Sequence, residues 1–109
     1  MSGVKAQRKQ LFFLKSVTRY TMMHGPAVED VAFHLMRVLS VSRDGAIRQY
    51  ENVYTGSKFK TREPRDTFLI PTGAVGEHDL VATYKRRKFP ASFDTFEEAR
   101  DFARSFKLS

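Results

Sequence analysis

The chain contains no cysteine and no tryptophan among its 109 residues. The first absence excludes disulfides, thiolate metal sites and cysteine nucleophiles, and it fits a reducing compartment. The second leaves ten phenylalanines as the main source of large apolar surface. Phenylalanine has no polar atom to present to water, so most of these rings are expected inside. Long apolar runs are missing too. Near the N-terminus, Leu11-Phe12-Phe13-Leu14 is cut off by Lys15, too short for a signal-peptide core or a membrane span. The expectation is a soluble protein of the cytoplasm or another intracellular compartment. Finally, residues 1–28 lack acid: Lys5, Arg8, Lys9, Lys15 and Arg19 all precede the first carboxylate, Glu29. Such a segment suits a basic arm lying along phosphates. A mitochondrial transit peptide is the alternative, but the strand-like pattern of Leu11–Met22 speaks against it.

What is present describes an ordinary globular chain. Apolar residues make up 41% and charged residues 28%, enough for one hydrophobic core without covalent staples. The expected division is a basic arm, residues 1–10, followed by a single domain, 11–109. Phe12, Leu14, Tyr20 and Met22 fall on one side at period two, with Ser16 and Thr18 between them, as in a half-buried strand. Gly25-Pro26 breaks the chain. "AVEDVAFHLMRVLSV" fits a helix through Val28, Val31, Ala32, Leu35 and Leu39, or a strand through Val31, Phe33, Leu35, Leu39 and Val41. The Asp44-Gly45 turn signal before "AIRQYENVY" favours a hairpin, with one helical turn over Pro26–Asp30. Residues 55–66 read as a polar connection and Thr67–Ile70 as a short strand. Leu80, Ala82 and Tyr84 alternate with Val81 and Thr83, so "DLVATYKRRKF" is expected to be a strand.

The stretch "FPASFDTFEEARDFARSF" carries the clearest signal. Thr95 and Glu98 have capping-box spacing. Phe96, Ala99, Phe102, Ala103 and Phe106 recur every three or four residues, and the charges follow the helix dipole. A helix over Thr95–Lys107 is therefore expected to brace the sheet. The fold class is α+β: an antiparallel sheet of four to five strands packed on a C-terminal helix.

The net charge is +7 and the isoelectric point is near 10, a balance that points to a polyanionic partner. From Asp94 onward, four carboxylates and three cations give −1, which leaves +8 on residues 1–93. The positive surface is thus assigned to the arm (Lys5, Arg8, Lys9), the connection (Lys58, Lys60, Arg62, Arg65) and the run Lys85-Arg86-Arg87-Lys88. In an extended strand, Lys85 and Arg87 would face one side and Arg86 and Lys88 the other. Tyr50, Tyr54, Phe59 and Tyr84 lie close to these charges in sequence. Cations beside rings suit a polyanion with flat bases. Phe93-Asp94-Thr95-Phe96-Glu97-Glu98-Ala99 resembles the sheet-to-helix junction of AP2-type and integrase arm-type DNA-binding domains. The resemblance implies a three-stranded antiparallel sheet on one helix, with the sheet laid in the major groove. The tryptophan expected on AP2-type sheets is not in this chain.

Catalytic chemistry leaves no local signature. His24, His34 and His78 stand apart from metal-ligand spacing, and Glu77-His78-Asp79 reads as a solvated turn. "TGSK" at 55–58 lacks the glycine–lysine–hydroxyl order of a phosphate-cradling loop, and no serine sits in a nucleophile elbow. No enzyme, cofactor or metal is expected. The expected function is non-catalytic binding of DNA or RNA by phosphate contacts that carry little sequence preference. The alternative is a small adaptor or inhibitor, of a kind phages encode, that docks on an acidic protein by charge matching or strand addition.

Overall fold

The computed structural model of the chain describes residues 6–21, 23–60, 67–70 and 76–106. Five strands form one antiparallel sheet: β1 (Leu11–Thr21), β2 (Ala27–Val41), β3 (Ile47–Asn52), β4 (Lys58–Lys60) and β5 (Thr67–Leu69), in the order β4-β3-β2-β1-β5. Two helices, α1 (Glu77–Lys85) and α2 (Phe96–Arg104), follow. The α+β class and the C-terminal helix are as the sequence implies. Three local expectations are corrected. Strand β2 starts at Ala27, with no helical turn before it. Lys58–Lys60, expected within a loop, forms β4 because its backbone completes the β3 edge opposite Gln49, Tyr50 and Glu51.

The third correction is α1. Leu80 and Tyr84 are four residues apart, a spacing shared by period two and by one helical turn. Glu77 and Asp79 in the first turn and Lys85 in the last suit the helix dipole. Burial of Leu80 and Tyr84 on one stripe against the sheet stabilises the helix. Glu77-His78-Asp79 is consequently its first turn, not a loop. Gly76 sits at its N-terminal cap, where a Cβ would lie 1.9 Å from the Phe106 carbonyl oxygen. The end of α2 therefore abuts the start of α1, and only glycine fits between them.

Both sheet faces are covered, unequally. On the helix side, Leu11, Phe13, Phe33, Leu35, Val53 and Ile70 meet Leu80, Tyr84, Ala91, Phe93, Ala99 and Ala103. Phe93 is the hub. Its ring lies 6.0 Å from Phe13, 6.1 Å from Tyr84 and 5.1 Å from Phe102. Its backbone exchanges hydrogen bonds of 2.8 and 2.9 Å with Phe33, closing the edge of β2 beyond the end of β3. The expected stripe of α2 is present, with Ala99 and Ala103 buried and the rings of Phe96, Phe102 and Phe106 packed around them at partial exposure. The Thr95 hydroxyl accepts from the Glu98 N–H at 3.1 Å. Lys107, placed in this helix by sequence, lies outside the described residues.

The opposite face carries a smaller core of Ala6, Phe12, Met36, Val38, Ile47 and Tyr50. That face is not the open three-stranded platform that the DNA-binding junction implies. Residues 6–10 lie against the body. Lys9 donates its backbone N–H to Val38, and Val38 donates to Gln10, both at 2.8 Å. The buried Gln10 side chain donates to the Ile70 carbonyl at 2.8 Å and accepts from the Gln7 N–H at 2.9 Å. Its polar atoms are thereby satisfied, as burial requires.

The β1–β2 hairpin outruns its neighbours. β5 pairs only with Phe12–Leu14, and β3 only with Met36–Val41. Beyond them and the Phe33–Phe93 bridge, residues 16–21 and 27–32 continue as a two-stranded ribbon, and the molecule measures 49 × 31 × 28 Å. Near the other hairpin, register shifts fall between Val38 and Ser40 and between Ser40 and Val41, so Leu39 is an extra residue in β2 and Arg48 an offsetting one in β3.

Candidate nucleic-acid interface

Of the cations singled out by sequence, Arg8 and Lys9, Lys58 and Lys60, and the run Lys85 to Lys88 border the β3–β4 side of the sheet from three chain segments. Lys58, Phe59 and Lys60 are exposed on the edge strand. Phe59 pairs with Tyr50 across the ladder, and the two rings stack at 5.2 Å with 24° between planes. Alternation puts the two lysines on the other side of β4 from this ring. A depression of about 310 Å³ wraps this edge, lined by Leu39, Gln49, Lys58, Phe59 and Lys60.

Leu39 also lines a neighbouring cavity of about 530 Å³, shared with Arg8, Lys9, Arg37, Val38, Glu51 and Glu77. Arm and edge strand thus meet around one leucine. Lys9 has a left-handed backbone, φ 71°, a conformation that costs an L-residue about 1 kcal/mol. The cavity is mixed in sign. Arg37 holds Glu51 at 3.3 Å, and Glu77 comes from the start of α1.

Lys85 to Lys88 are placed differently from the expected extended strand. Lys85 ends α1, and Arg86 caps it in a helical conformation. Helical backbone does not alternate sides, so the four cations do not divide into two opposed pairs. Arg87 turns inward: its guanidinium carbon lies 4.2 Å from the centre of the Phe93 ring and 5.7 Å from that of Phe102. Its Nε is buried with no hydrogen-bond partner among the described residues. Lys85, Arg86 and Lys88 remain exposed. The Tyr54 hydroxyl donates to the Arg87 carbonyl at 2.7 Å, which ties this segment to the β3–β4 turn. Lys5, Arg62 and Arg65 lie outside the described residues.

Among the described residues, ion pairs join Arg19 to Glu29 at 2.6 Å, Arg37 to Glu51 at 3.3 Å and Arg100 to Asp101 at 3.4 Å. None of them neutralises Arg8, Lys9, Lys58, Lys60, Lys85, Arg86 or Lys88. The tyrosines near the cations act as supports. Tyr84 is buried and accepts a hydrogen bond from the Leu35 N–H at 3.1 Å, and burial raises its pKa. Burial likewise raises that of Tyr50. Among the described residues, no three of His, Asp and Glu gather as a metal site, and no helix is long and apolar enough to cross a membrane.

Sequence reasoning missed Leu39, the Arg37–Glu51 pair and Phe89. Only Phe89 left a trace in the sequence: a phenylalanine between Lys88 and Pro90, outside any apolar periodicity. Comparison of the chain with protein-family models, curated proteins and solved structures finds no match.

Proposed function

We propose that this domain binds nucleic acid, non-catalytically, through phosphate contacts along the β3–β4 side. The observation that carries this reading is the set of exposed cations contributed by the 8–9 segment, β4 and the end of α1. None of them has a carboxylate partner among the described residues. Cations held open in this way can each displace a counterion from a phosphate. Lys58, Lys60, Lys85, Arg86 and Lys88 form the main patch, Arg8 and Lys9 extend it, and Arg87 holds its position from below. Lys5, Arg62 and Arg65 continue the same segments and belong to the proposal on sequence grounds alone.

Fluorescence anisotropy with labelled duplex and single-stranded oligonucleotides, across a series of salt concentrations, tests the reading. Four phosphate contacts would give a log–log salt slope of about −3.6 on duplex or −2.8 on single strands. Lys58→Glu with Lys60→Glu should weaken binding and flatten the slope, with stability moving by no more than about 0.5 kcal/mol. Arg87→Glu should behave differently and destabilise the fold by about 1–2 kcal/mol, because it replaces a cation on a ring face with a partly buried carboxylate.

A second reading is an adaptor or inhibitor docking on an acidic protein. It is favoured by the β1–β2 ribbon, where Val17, Tyr20 and Met23 are exposed. Binding to oligonucleotides without a salt slope would select it over the first.

A further inference from the structure

Two phenylalanines stand out of the fold rather than in it. Phe59 is 41% exposed and Phe89 is 77% exposed, in a chain that buries Phe12, Phe13, Phe33 and Phe93 almost completely. Nothing polar in a phenylalanine side chain explains an outward position. The two share a construction. Each rests on a tyrosine: Phe59 on Tyr50 at 5.2 Å, and Phe89 on Tyr54 at 6.2 Å with 42° between planes. Each tyrosine is fixed in turn. Tyr50 is packed in the smaller core, and Tyr54 is held by its hydroxyl on the Arg87 carbonyl and by an edge contact of 6.2 Å with Tyr84. Each ring is flanked in sequence by exposed cations with no carboxylate partner among the described residues, Lys58 and Lys60 for the first, Arg86 and Lys88 for the second.

We infer that the ligand is a single-stranded nucleic acid, with unpaired bases stacking on Phe59 and Phe89 while its phosphates follow the neighbouring lysines and Arg86. This rests on the phosphate-binding reading above and narrows it. A duplex keeps its bases stacked inside, and phenylalanine has no donor or acceptor for a groove edge. An unpaired base offers a whole π-face, which a rigidly backed ring can cover whatever the base. The edge strand has the right handedness of placement. Lys58 and Lys60 lie on one side of β4 and Phe59 on the other, so a backbone running along the edge can fold its base over it into the depression beside Leu39. Tyr50 and Tyr54 are four residues apart, at most about 14 Å of backbone. Phe59 lies with Tyr50 on the smaller-core face and Phe89 with Tyr54 on the helix side, so one oligonucleotide of several nucleotides reaches both by passing round the β4 edge.

The chain's lack of tryptophan supplies the probe. In Phe59→Trp the only indole sits at the proposed stack. Titration with oligothymidylate or oligouridylate of about 15 nucleotides should quench its fluorescence and leave affinity equal or tighter. Phe59→Ala and Phe89→Ala should each lower single-strand affinity about five- to hundredfold, with the salt slope unchanged and the unfolding midpoint checked alongside. Wild-type protein should prefer either single strand to a duplex of the same length. Unquenched indole at saturation, alanine variants that bind like wild type, or a preference for duplex would each overturn the inference. If wild type still binds with a steep salt slope in those cases, the phosphate reading survives alone. If wild type binds no oligonucleotide, both fall together.

Discussion

The two halves of the β1–β2 hairpin share strands and one continuous register, yet they live in different surroundings. At Leu11–Phe13 and Phe33–Val38 the strands have neighbours on both edges and packed side chains on both faces. From Val17 to Thr21 and Ala27 to Asp30 they have only each other, and most side chains are exposed. A two-stranded hairpin is at best marginal by itself in water. The ribbon is therefore held in register by the body to which it is continuous, and its β-forming residues are permissive rather than decisive.

The sharpest way to break this comparison is a pair of truncations. Phe13→Ala removes a buried ring in contact with Phe93 and should cost about 3–5 kcal/mol. Val17→Ala, 44% exposed in the ribbon, should cost less than about 1 kcal/mol. Equal shifts in urea midpoint would show that the ribbon is packed in solution. Amide hydrogen exchange sharpens the contrast. The Leu35 N–H, held by the Tyr84 hydroxyl, should exchange only with global unfolding, and ribbon amides through local opening.

His34 sits at the junction and gives a smaller effect. It is half-buried, opposite Leu14 and 3.2 Å from the Ser16 hydroxyl, and desolvation lowers its pKa below the ordinary 6.5. The fold thus prefers the neutral ring. Its contribution is intact above the unfolded value and is lost as the pH falls through the lower folded value. Melting temperature should drop between about pH 7.5 and pH 5.5 more in wild type than in His34→Gln. The smallest effect is expected in the ribbon itself. A double-mutant cycle on the exposed Arg19–Glu29 pair should return about 0.2–1 kcal/mol, shrinking with salt.

The same contrast between local pattern and distant partners governs what the sequence disclosed. The hairpin around Asp44-Gly45 and the helix after Thr95 rest on turn and cap residues adjacent in the chain, and both were legible. Strand β4 was not, because three residues of Lys-Phe-Lys declare nothing until the β3 edge lies beside them. Helix α1 was misread because Leu80 and Tyr84 satisfy two periodicities, and the choice is made by a core built from remote segments. The cations themselves could be read off, but their individual roles could not. Arg86 and Arg87 are identical neighbours in sequence, and only the position of Phe93 makes the second a packing residue.

Leu39 shows how length can matter more than chemistry. Because neighbouring strand residues point to opposite sides, a surplus residue shifts the phase of its own strand, and here Arg48 of β3 makes up the offset one pair later. Shortening β2 there by a single codon would leave Arg48 of β3 without its offsetting residue and invert Ser40 and Val41, stripping two adjoining hollows of their common wall. By contrast, the Thr55–Ser57 bend is exposed and offers room for added residues. Insertions and deletions of equal size should therefore be tolerated at the bend and rejected at the leucine, whatever residues they contain.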